Sequence, residues 1–83
     1  MNDSKREYLT ELRNKKGLSQ EEVAKLIDVA RSTYACYETG DREPNLETMG
    51  RIAKVLGEKD LVKLFRKGGI IIANNNSQNG KKD

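Results

Sequence analysis

The chain has 83 residues, with 16 lysines and arginines against 13 aspartates and glutamates, and no histidine. A chain this short can build one core but no deep substrate cleft, and without histidine it lacks the commonest general base and metal ligand. Its net charge of +3 and pI near 9.1 point, though weakly, to an anionic partner.

Start and stop signals predict five helices in chain order. Ser4 and Glu7 have the capping-box spacing, so a first helix is expected from Ser4, with Leu9 and Leu12 inward and its end before Gly17. Ser19 and Glu22 form a second capping box, opening a helix that buries Val23, Ala24 and Ile27. Asp28, Val29 and Ala30 leave a very short connection to a third helix, from about Arg31 to Glu38, that stops at Gly40. Asp41–Asn45 reads as a loop around Pro44, and Asn45 is a suitable N-cap for a fourth helix. That helix is expected to bury Leu46, Met49, Ile52, Ala53 and Leu56 and to end at Gly57. Leu61, Val62, Leu64 and Phe65 mark a fifth helix, stopped by Gly68 and Gly69. The expected domain is 4–67, followed by a tail over 68–83 with a short strand at 69–73, from its three isoleucines, and then disorder.

The third helix carries the functional signal. Two short helices joined by three residues cross steeply and project the second outward. At α-helical spacing, Arg31, Ser32, Ala35 and Cys36 fall within an arc of about 140°, whereas Tyr34, Tyr37 and Glu38 lie on another side, expected to pack on helices two and four. Short side chains on the outer arc allow close approach to base edges in a major groove.

The segment Gly17-Leu18-Ser19-Gln20-Glu21-Glu22-Val23-Ala24-Lys25-Leu26-Ile27, followed by Arg31-Ser32-Thr33-Tyr34 and Tyr37-Glu38-Thr39-Gly40, resembles the Xre family. These are the Cro/cI-like helix-turn-helix proteins of phages and bacteria. Pro44-Asn45-Leu46-Glu47-Thr48 and Ile52-Ala53-Lys54-Val55-Leu56-Gly57 match as well, so the resemblance covers roughly 5–66. It implies an all-α, five-helix lambda-repressor-like fold with the helix-turn-helix at helices two and three.

The resemblance also implies roles. Gln20 matches a phosphate anchor at a helix N-terminus. Arg31, Ser32 and Cys36 match base-reading positions, with Ala35 on the same face, and Arg31 is suited to guanine. Thr33 and Arg42 match phosphate contacts, and Arg13 with Glu38 matches an interhelical ion pair. The chain departs from the pattern where Asp28 replaces a turn glycine, where Ala30 replaces a capping serine or threonine, and where Cys36 faces the bases.

The function so implied is a sequence-specific regulator of transcription, a repressor, bound as a homodimer to a two-fold symmetric operator in double-stranded DNA. No catalytic residue, metal or cofactor is expected. No run of about 18 apolar residues suggests a membrane span. Met1–Arg6 do not read as a signal peptide, and the single Cys36 suits a reducing compartment, so a cytoplasmic location is expected. Two alternatives differ in partner: an antitoxin that also binds a toxin protein, or an interaction module that kept the fold without binding DNA.

Overall fold

The computed structural model describes residues 4–68. Five helices follow one another: α1 (Glu7–Lys15), α2 (Gln20–Ile27), α3 (Arg31–Thr39), α4 (Leu46–Leu56) and α5 (Leu61–Phe65). The expected strand at 69–73 lies outside the described residues.

Local chemistry accounts for most of the boundaries. At α2, the Ser19 hydroxyl accepts from the Glu22 amide at 3.0 Å and the Glu22 carboxylate accepts from the Ser19 amide at 2.8 Å, a complete capping box. Asn45 caps α4 by accepting from the Thr48 amide at 2.8 Å, and Asp60 caps α5 by accepting from the Lys63 amide at 3.1 Å. Asp28 closes α2 with φ of 64°, a left-handed conformation that aspartate tolerates better than most residues. Ala30 precedes α3 with no side-chain cap.

The start of α1 departs from the sequence expectation. The helix begins at Glu7, with Arg6 in the N-cap position and no side-chain cap. Ser4 turns away instead, its hydroxyl donating to the Thr39 carbonyl at 2.9 Å. The segment ahead of α1 thus serves the end of α3, where carbonyls lack intrahelical partners. Gly40, at φ of 87°, makes room for it: a Cβ there would lie 1.9 Å from the Ser4 carbonyl oxygen.

The core is a cluster of Leu9, Val23, Ala24, Ile27, Tyr34, Tyr37, Ile52, Ala53, Leu56, Leu64 and Phe65. The helix α2 lies between α3 and α4, while α1 packs on α3 and α5. The buried side of α3 therefore has α2 and α1 as its principal neighbours, in place of the expected α2 and α4. Leu46 is not buried with the rest of the α4 stripe: it stands in the first turn and is 72% exposed. Val62 is exposed too, whereas Leu64 and Phe65 are buried. No helix of the described residues is long and apolar enough to cross a membrane.

Candidate nucleic-acid interface

The site is built on α3 and held from below by a buried polar network. Glu38 is 4% exposed, and its carboxylate accepts from Arg13 Nε at 2.6 Å and Arg13 Nη2 at 3.2 Å. It also accepts from the Thr10 hydroxyl and from Gln20 Nε2, each at 3.0 Å. Arg13 spends its remaining nitrogen on the Leu18 carbonyl at 2.7 Å and the Asn14 amide oxygen at 3.1 Å. Residues of α1, of the α1–α2 turn, of α2 and of α3 are thereby joined through one ion pair.

Burial works against the ionised Glu38, but the hydrogen bonds led by Arg13 outweigh it and hold the carboxyl below its ordinary value. The Tyr34 hydroxyl, buried beside this network, makes no hydrogen bond within the described residues. Burial, and then the neighbouring Glu38 carboxylate, push its ionisation far up, so it stays neutral.

Above the network, α3 presents its other side. Arg31 and Ser32 are exposed, and Thr33, Ala35 and Cys36 are half-buried. Arg31 forms no ion pair among the described residues, so its guanidinium is available. Arg42 is exposed on the loop after α3, where its amide donates to the Cys36 carbonyl at 3.2 Å. Gln20 is half-buried at the start of α2, with one of its two amide N–H groups committed to Glu38. The residues singled out by sequence thus divide into an outer set on α3 and its flanks and an inner set, Arg13 with Glu38, beneath them. Gln20 belongs to both. Among the described residues no group of three or more acidic, cysteine or histidine side chains is placed to hold a metal.

Sequence reasoning missed Arg6. It is 1% exposed, the largest fully buried side chain of the described residues. Arg6 Nε donates to the Phe65 carbonyl at 3.0 Å, and Nη1 donates to the Tyr37 carbonyl at 2.5 Å and the Arg42 carbonyl at 3.2 Å. Nη2 pairs with the Glu43 carboxylate, and the guanidinium carbon stands 6.0 Å from the Phe65 ring centre. A second unforeseen feature is a shallow apolar groove of about 520 Å³ lined by Leu46, Met49, Leu61, Val62, Phe65 and Arg66.

A short turn, a capped supporting helix and a second helix with an unengaged polar face define the helix-turn-helix class of DNA-binding domains. The chain belongs to the helix-turn-helix family, which it matches over residues 9–64. It is 51% identical over 45 residues to the HTH-type transcriptional regulator AnsR of Bacillus subtilis, covering 54% of this chain and 39% of that protein. It is 45% identical over 49 residues to the cryptic phage CTXphi transcriptional repressor RstR of Vibrio cholerae, covering 59% of this chain and 44% of the repressor. An uncharacterized HTH-type transcriptional regulator of Methanothermobacter thermautotrophicus is 37% identical over 60 residues, covering 72% of this chain and 87% of that protein. The aligned regions span less than half the length of the first two relatives.

Proposed function

We propose that the protein is a sequence-specific regulator of transcription, a cytoplasmic repressor that reads double-stranded DNA by laying α3 in the major groove. The observation that carries this reading is the exposed Arg31, without an ion pair among the described residues, beside Ser32 at the start of a helix whose other side is fixed by the buried Arg13–Glu38 pair. A bidentate donor on a rigid helix suits guanine O6 and N7. Ala35 and Cys36 continue that face, where small side chains favour apolar contact with base edges, and Thr33 beside it contacts phosphate. Gln20 and Arg42 flank it as phosphate contacts.

One such helix reads only a few base pairs, so a homodimer on a two-fold operator with half-sites about one helical turn apart completes the reading. The groove formed by Leu46, Met49, Leu61, Val62 and Phe65 supplies apolar surface for that association.

The test begins with selection of bound sites from random duplex DNA. Arg31→Ala should then cost about 1–3 kcal/mol on the selected site and relax one base position. Arg42→Ala should weaken all sequences about equally and lower the salt slope by about one. An unchanged preference after Arg31→Ala would remove α3 as the reader.

A further inference from the structure

We propose that Arg6 is a positioning residue for DNA binding: its buried guanidinium fixes the loop that carries Arg42 to the end of α3. This inference rests on the DNA-binding reading above and adds a residue to it that touches no DNA.

The geometry is specific to a guanidinium. Its donors reach carbonyls from three separate stretches of chain: Tyr37 in the last turn of α3, Arg42 in the following loop, and Phe65 at the end of α5. A planar fork with fixed donor directions holds several acceptors in one arrangement, which an ammonium or an apolar side chain cannot do. The Arg6 backbone adds a fourth tie, its amide donating to the Glu38 carbonyl at 2.8 Å.

At Arg42 itself the backbone has one other hydrogen bond among the described residues. The Arg42 amide is held by the Cys36 carbonyl at 3.2 Å, so Arg6 supplies the hydrogen bond on the other side of the same residue. With the Arg42 amide tied to α3 directly and its carbonyl tied through Arg6, which also holds the Tyr37 carbonyl, the exposed side chain leaves the surface from a fixed origin. A phosphate contact made from a fixed origin avoids the cost of ordering the loop on binding. Burying a charge only to fill space would be a poor solution. What the arginine contributes is the relation between the loop and the reading helix.

The test uses the full chain and a mixed-sequence duplex, with affinity measured over a range of salt well below the melting temperature. Arg6→Lys keeps the charge but loses the fork. It should lower affinity about three- to tenfold and reduce the salt slope by about one, as Arg42→Ala does. On the selected site it should leave the base preference unaltered. In the Arg42→Ala background, Arg6→Lys should change neither affinity nor slope further. A variant that melts earlier but keeps the wild-type slope, or losses that multiply in the double substitution, overturns the proposal.

Hydrogen exchange on the unaltered protein tests the fixed loop, on which the proposal depends, even if Arg6→Lys fails to fold. The Arg42 amide should be protected in the free protein as well as on DNA. Protection gained only on DNA overturns the proposal. If the wild-type chain binds no duplex at all, the DNA-binding reading falls together with this one; binding with an unmoved slope removes only the role of Arg6.

Discussion

Arg6 stands at the N-cap of α1 and Arg13 in its last turn, and both are buried, yet their charges are met in different ways. Arg13 faces a carboxylate as buried as itself, and Glu38 accepts four hydrogen bonds from three side chains. Arg6 gives most of its donors to neutral carbonyls, and its acid, Glu43, is 60% exposed and also bound to Lys67 at 2.6 Å. The first arrangement cancels charge against charge in a place largely withdrawn from water. The second anchors backbone and leaves the balance of charge near solvent. The contrast predicts that substituting the acid should be severe at one site and mild at the other.

The largest effect is expected from breaking the sealed pair. Arg13→Met would leave the Glu38 carboxylate with only Thr10 and Gln20 as donors, an uncompensated buried charge. Urea unfolding should show a loss of about 3–5 kcal/mol. Glu38→Gln strands the arginine instead and should cost about 1 kcal/mol or more, toward the same range. A melting temperature unmoved by either substitution would place the pair with solvent-exposed ones and erase the contrast.

Acid should sharpen it. Glu38 is held below its ordinary value of 4.5 in the folded protein. Its contribution is therefore complete above the unfolded value and lost as pH falls through the folded one, because the unfolded chain takes up the proton first. Stability measured downward from about pH 5 should fall more steeply in the wild type than in Glu38→Gln, whose group does not titrate. Equal slopes would mean that the carboxyl carries no such linkage.

The two arginines also differ in how legible they were. The Arg13–Glu38 relation follows from a resemblance in which the two positions recur together, and Ser19–Glu22 and Asn45 announce their helices because a cap is a local event, complete within four residues. The same local rule misled at Ser4, whose spacing to Glu7 is that of a capping box but whose hydroxyl serves Thr39, 35 residues away. Arg6 was illegible for a related reason. Its neutral acceptors are backbone carbonyls 31, 36 and 59 residues distant, and a carbonyl leaves no mark in the sequence. Leu46 shows the limit of periodicity: its spacing fits the α4 stripe, but it stands at the first position of the helix and is left exposed.

The smallest effect is expected at Glu43. Glu43→Gln removes the acid from both Arg6 and Lys67 while keeping an oxygen able to accept a hydrogen bond. The side chain is more than half exposed, so water and salt already screen it, and the loss should stay below about 1 kcal/mol. The Lys67 hydrogen bond, working against burial and aided by the Arg6 charge, holds the Glu43 carboxyl below its ordinary value, so whatever it contributes is present near neutral pH and disappears in acid. Raising the salt concentration should narrow the difference between wild type and Glu43→Gln, since exposed pairs are screened and buried ones much less so. The Arg6 guanidinium would keep its three carbonyls, and the salt slope for DNA should not move. A loss near that of Arg13→Met, insensitive to salt, would show that Arg6 depends on its acid as Arg13 does, and the two arginines would then be two instances of one device.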